Sequence, residues 1–268
     1  MSTPTLIGIP FDAASSFRRG AAAAPAAIRA ALTSPAGNSW TEGMVDLGAP
    51  GTLADAGDVS GLEPQSVRAR IEQAVEKLAA SGARPVVLGG DHSISYPVLR
   101  ALKPHHPQLS VLHIDAHPDL YDAFQGDKFS HACPFARVLE ERLADELVQV
   151  GIRTMTGHQR AQADRFGVDV IDMDAWTEGR RPRLAHPVYL SIDLDGFDPA
   201  HCPGVSHPEP GGLSVRDFLT MLHRLDVPVV GADIVELNPE ADSAGLTAKV
   251  AAKLVKEIVG QMHRSTIP

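Results

Sequence analysis

Apolar residues follow two alternating rhythms along this chain. Short runs rich in β-branched residues read as strands: Leu6–Ile9, Pro85–Leu88, Ser110–Ile114, Leu147–Val150, Val168–Ile171, Val188–Ile192 and Val229–Val235. Stretches with helical spacing lie between them. Pro64 to Ala80 is the clearest, because Val67, Ile71, Ala74, Val75 and Leu78 recur every three or four positions, Pro64 suits a first turn and Gly82 suits a stop. Pro25–Leu32, Cys133–Leu143, Val215–Leu225 and Ala248–Met262 also read as helices. Strand and helix in alternation predict a parallel sheet covered by helices on both faces. No repeat, low-complexity tract or linker divides the chain, so one domain over residues 1–268 is expected.

Composition narrows the function. With 44% hydrophobic and 21% charged residues the chain reads as soluble and globular. No stretch approaches the roughly 20 apolar residues of a membrane helix. Met1 to Pro10 lacks the basic and apolar regions of a secretory signal, which points to the cytoplasm. There, Cys133 and Cys202 are expected to be free thiols. A formal charge of −9 argues against nucleic acid or an anionic membrane as partner and suits a cationic substrate.

Four polar segments each follow an apolar run. They are Gly89-Gly90-Asp91-His92-Ser93, Asp115-Ala116-His117-Pro118-Asp119, Ser191-Ile192-Asp193-Leu194-Asp195 and Asp233-Ile234-Val235-Glu236-Leu237-Asn238-Pro239. Ligand sites in parallel sheets sit at the carboxyl ends of strands. Strand alternation would put Asp115 with His117, and Asp193 with Asp195, on shared faces if the strands run on. A lone Asp-X-Asp is usually a turn, and a lone His usually a satisfied core or surface residue. Together, however, Asp115, Asp119, Asp193 and Asp195 could not all stay ionised in a dry pocket without cations. Two divalent ions would balance them. Carboxylate with imidazole, and no thiolate, suits Mn²⁺ better than a structural Zn²⁺ site.

With these motifs the chain resembles the ureohydrolases, the arginase and agmatinase family, over nearly its whole length. Gly8-Ile9-Pro10-Phe11-Asp12, Arg19-Gly20-Ala21 and Pro25-Ala26-Ala27-Ile28-Arg29 extend the match. The resemblance implies a three-layer α/β/α sandwich around an eight-stranded parallel sheet, two Mn²⁺ ions, and assembly as a homo-oligomer, a trimer or hexamer. It implies that His92, Asp115, Asp119 and Asp193 hold one metal and that Asp115, His117, Asp193 and Asp195 hold the other. Asp115 and Asp193 would then bridge. Asp119 would also hold the attacking water in line. His131 falls at the proton-shuttling histidine, followed here by Ala132 where the family usually has Gly. Glu236 falls at the carboxylate that orients the guanidinium of a small guanidino substrate. Asp233 reads equally as partner to a metal ligand or as a helix cap.

Within the family, the motifs look more like the agmatinase branch. Tyr121 stands where arginases have Asn, and Gly151-Ile152-Arg153-Thr154-Met155-Thr156 holds no acid. Cys202-Pro203-Gly204 and Pro208-Glu209-Pro210-Gly211-Gly212-Leu213 point the same way. Agmatine or a related guanidino-alkyl compound, hydrolysed to an amine plus urea, is therefore expected. Contacts from His207 and Arg153 to a carboxylate would instead suit a guanidino acid or formiminoglutamate. A zinc deacetylase on a related fold needs fewer carboxylates, and a non-catalytic metal-binding relative needs neither His131 nor Glu236.

Overall fold

A computed structural model describes residues 2–264; Met1 and residues 265–268, the ends of the expected 1–268 span, lie outside the described residues. Its framework is one eight-stranded parallel sheet. The strands are β1 (Pro4–Gly8), β2 (Ala54–Asp58), β3 (Arg84–Leu88), β4 (Ser110–Ile114), β5 (Glu146–Ile152), β6 (Asp169–Asp172), β7 (Val188–Asp193) and β8 (Val229–Val235). They lie side by side in the order β2-β1-β3-β8-β7-β4-β5-β6. The helices are α1 (Ala24–Leu32), α2 (Val67–Ala80), α3 (Ser95–Leu102), α4 (Pro134–Glu140), α5 (Gly157–Phe166), α6 (Met173–Thr177), α7 (Val215–Leu222) and α8 (Leu246–Arg264).

Pleat alternation divides the core into two layers. Val86, Leu88, Leu112 and Ile114 pack on one side with Ile28 of α1, Phe218 of α7 and Leu254 of α8. Val87 and Val111 pack on the other with Ile71 of α2, Val98 of α3 and Phe135 of α4. This is the three-layer sandwich that the resemblance implies.

Strand order places the site. The four motif-bearing loops follow β3, β4, β7 and β8, which are contiguous in the sheet. Register levels their ends: Leu88 pairs with Ile234, Ile234 with Ile192, and Ile192 with Ile114. The residues just beyond this row therefore meet on one rim.

Some boundaries differ from the sequence expectation. Strand β2 and helices α3, α5 and α6 carried no expectation at all. Helix α2 starts at Val67, because Ser66 and Val67 close a turn onto the Glu63 carbonyl. Strand β6 omits Val168, whose N–H instead closes the end of α5 on Ala163.

Candidate metal centre

Each segment is turned into the site by a local device. After β3 the chain runs against the Phe11 backbone, where a Cβ on Gly90 would lie 1.7 Å from the Phe11 carbonyl oxygen. Only glycine fits there. The Gly90 carbonyl accepts the Glu236 N–H at 2.9 Å, which ties the β3 loop to the β8 loop. Gly90→Ala is expected to disturb both loops and lower the melting temperature; a melt at the wild-type temperature would show that the Phe11 backbone gives way freely.

The Asp pairs converge differently from the strand reading. Strand β4 stops at Ile114, and Asp115 turns the chain by accepting the His117 N–H on Oδ1 at 2.6 Å. Strand β7 stops at Asp193, whose Oδ1 accepts the Asp195 N–H at 2.9 Å. Carboxylate-closed turns, not continued pleats, bring the pairs together. Asp119 and Glu236 have left-handed backbones, with φ of 49° and 64°. Such conformations cost about 1–3 kcal/mol each and collect at functional sites.

His92 is fixed from behind. Its Nε2 lies 3.0 Å from the Ser191 hydroxyl, which donates to Asp233 Oδ1 at 2.8 Å, while Tyr189 donates to Asp233 Oδ2 at 2.8 Å. Asp233 thus supports a candidate ligand through Ser191. With Ser191 donating to Asp233, the ring nitrogen facing Ser191 carries the proton and Nδ1 keeps its lone pair. That Nδ1 is buried without a hydrogen-bond partner among the described residues. It faces Asp119 Oδ2 at 3.1 Å, Asp193 Oδ2 at 3.2 Å and Asp115 Oδ2 at 3.3 Å. Neighbouring corners of an octahedron with bonds of about 2.1 Å are about 3.0 Å apart, so this spacing is that of donors around one cation.

A second group lies alongside. His117 Nδ1 is 3.2 Å from Asp195 Oδ2 and 3.5 Å from Asp115 Oδ1. Asp115 therefore presents one oxygen to each group. His113, absent from the sequence reading, supports it from within β4: its Nε2 is 2.7 Å from Asp115 Oδ2, and its Nδ1 meets the Gln149 amide at 3.0 Å. The amide is a donor, so Nδ1 accepts and Nε2 donates to the carboxylate. That makes His113 a supporting group rather than a ligand. The signal for it was a histidine two residues before Asp115 on the same pleat face.

Charge points the same way. Burial, reinforced by Asp195 and Asp115, pushes the Asp193 carboxyl well above its usual range. Burial and Asp115 push Asp195 up to about 7. Burial opposes ionisation of Asp115 too, but the His113, His117 and His92 contacts outweigh it and hold that carboxyl well below its usual range. Against the effect of burial, the same acids pull His92 well above its ordinary value and His117 up to about 12, and divalent cations would supply the positive charge they call for.

Beside the two groups opens a cavity of about 190 Å³, lined in part by Asp193, Asp195, His117, His131 and Glu236. His131 Nδ1 is 3.3 Å from Glu236 Oε1, and its Nε2 is 2.8 Å from the Ser16 hydroxyl. Burial lowers the His131 pKa, but the Glu236 hydrogen bond and charge overcome it and raise the group to about 9. Glu236 Oε1 also accepts the His92 N–H at 2.9 Å. All six expected ligands, with His131 and Glu236, are thus at one rim.

Comparison with known proteins decides the family, since the model for the arginase family matches residues 2–260. The chain belongs to the arginase family. It is 44% identical over 281 residues to mitochondrial arginase 1 of Arabidopsis thaliana, covering 98% of this chain and 82% of that protein. Its fold matches the arginase from Medicago truncatula with a TM-score of 0.91 at 43% identity, over 97% of this chain and 87% of that one. It matches the agmatine ureohydrolase of Thermoplasma volcanium with a TM-score of 0.88 at 33% identity, over 98% and 90% of the two chains. The agmatinase branch is therefore not singled out among arginase-family relatives. The Arabidopsis arginase is mitochondrial by name, a compartment the cytoplasmic expectation does not share. No described helix is long and apolar enough to cross a membrane.

Two further expectations meet the structure of this arginase-family chain. Arg153 does not face the cavity as a carboxylate partner. Its guanidinium donates to backbone carbonyls, among them Asp195 at 2.6 Å and Glu209 at 2.5 Å, and so braces the loop that carries Asp195. Cys133 and Cys202 are free and buried, as expected, and burial pushes Cys133 up to about 12.

Proposed function

We propose that the chain is a two-metal ureohydrolase that cuts the guanidino C–N bond of a small substrate to release urea. The observation that carries this reading is His92 Nδ1, buried without a hydrogen bond among the described residues and facing three carboxylate oxygens at 3.1 to 3.3 Å. His92, Asp115, Asp119 and Asp193 would hold one Mn²⁺, and Asp115, His117, Asp193 and Asp195 the other. Two such ions supply Lewis acidity and an activated water. Asp119 would accept a hydrogen bond from that water. Glu236 pairs with the guanidinium and orients its carbon. His131 carries the proton to the leaving amine. The chain acts as one ureohydrolase domain, and trimers or hexamers belong to the same reading.

Arginine is the first candidate substrate, supported by identity to the plant arginases. Agmatine is the second, favoured by the cavity wall. No Lys or Arg is among the described residues that line the cavity, and beyond the histidines beside the metal groups a substrate carboxylate would find neutral donors such as Thr154, Thr156 and Gln159. The Mn²⁺-loaded protein should release urea from one of arginine, agmatine, guanidinobutyrate or guanidinopropionate. Formamide from formiminoglutamate alone would move it to a different amidino substrate. Silence across this panel with two metals bound would leave a non-catalytic relative.

The His131–Glu236 pair gives the reading a pH signature. A raised group contributes stability fully below its ordinary pKa of 6.5 and loses it as pH rises through about 9. Proton delivery fails over the same range. Urea release is expected to decline as pH rises through about 9, and a pH–kcat profile still climbing well past that value would remove His131 from the relay.

A further inference from the structure

His207 belongs to neither metal group, and its ring makes no hydrogen bond among the described residues. It nevertheless lies flat against His131, with ring centroids 5.2 Å apart and planes at 26°. Phe17, 77% exposed, lies at a tilt to it with ring centroids 5.6 Å apart. The segment just before it is tied down. Asn238 N–H donates to the Gly204 carbonyl at 2.8 Å, and the Ser206 hydroxyl donates to the Arg18 carbonyl at 2.9 Å. The Asn238 amide donates to Ser206 Oγ at 3.0 Å.

His131 is anchored at two atoms, by Glu236 at Nδ1 and by Ser16 at Nε2. Two such anchors define an axis and leave tilting about it weakly opposed. A flat ring against the face opposes that tilt. We propose that His207 is a positioning residue that fixes the His131 imidazole by face-to-face packing, through its shape rather than its nitrogens. This rests on reading His131 as the proton carrier.

The test compares His207→Ala and His207→Phe in the Mn²⁺-loaded protein. Two quantities are read: steady-state urea release, and the rate at which diethyl pyrocarbonate modifies His131, followed by mass spectrometry. For His207→Ala, kcat should fall roughly tenfold or more while KM and metal content hold, and His131 should be modified faster. His207→Phe keeps a flat ring and should restore both. Wild-type kcat and protection in His207→Ala would overturn the proposal. So would a His207→Phe protein as impaired as His207→Ala, since the nitrogens would then be what matters. If the wild type turns over no guanidino compound, the urea-releasing reading falls, and the protection of His131 still decides the packing role.

Discussion

Asp193→Ala is expected to lose its metals and its turnover together. Asp193 Oδ2 is one of the three oxygens around His92 Nδ1, and Oδ1 closes the turn that presents Asp195. Removing the side chain takes a donor from the first group and loosens the approach of the second. Metal analysis should show well under two ions per chain, and urea release should drop by about three orders of magnitude or more. The metal-free protein should behave differently. Burial and neighbouring acids already disfavour the Asp193 charge, so its removal relieves repulsion there. Metal-free Asp193→Ala should therefore melt no lower than the metal-free wild type, while the stabilisation gained on adding Mn²⁺ disappears. Two tightly held ions in this variant would sink the assignment of Asp193 as a bridge.

Glu236→Gln should separate binding of metal from catalysis. Glu236 is outside both ligand groups, and a glutamine oxygen can still accept the His92 N–H. Both ions should remain. The negative charge is what the guanidinium and His131 lose. Turnover should fall by about two orders of magnitude or more. His131, held near 9 chiefly by Glu236 against the effect of burial, should also titrate lower, moving the alkaline decline of any residual activity to lower pH. Wild-type turnover would refute the orienting role, and lost metal would place Glu236 among the supports of the cluster.

The strands of the sheet's interior were legible because they are apolar on both faces, and such strands read as continuous runs. Strand β2 was not. Its sequence, Ala-Asp-Ala-Gly-Asp, is exposed throughout, and it holds its place at the sheet edge by pairing with β1. Nothing in its pattern distinguishes it from a loop. Helix α5 hid for a similar reason: it has almost no apolar stripe, though it starts from a capping box, in which the Thr156 side chain and Gln159 cap one another. That box was a usable signal. Helix α3 carries Pro97 in its first turn, where proline is tolerated but reads as a break. In the site, residue types and strand-end placement were legible, and the family motifs supplied the roles. The closing turns were not, because an aspartate reads the same whether it extends a pleat or folds back on its own backbone. His113 was hidden inside an apolar run, and Arg153 was misread because nothing local says that its partners are carbonyls.

The level ends of β3, β8, β7 and β4 also bear on how the site comes into being. Its ligands are brought from well-separated parts of the chain and share a rim only once these central strands are zipped in register. Such non-local pairing forms late, after the entropy of closing long loops has been overcome. Cations therefore act on a nearly finished protein. They should slow its unfolding while leaving its folding rate almost untouched, which makes the metals guardians of its lifetime rather than guides to its shape.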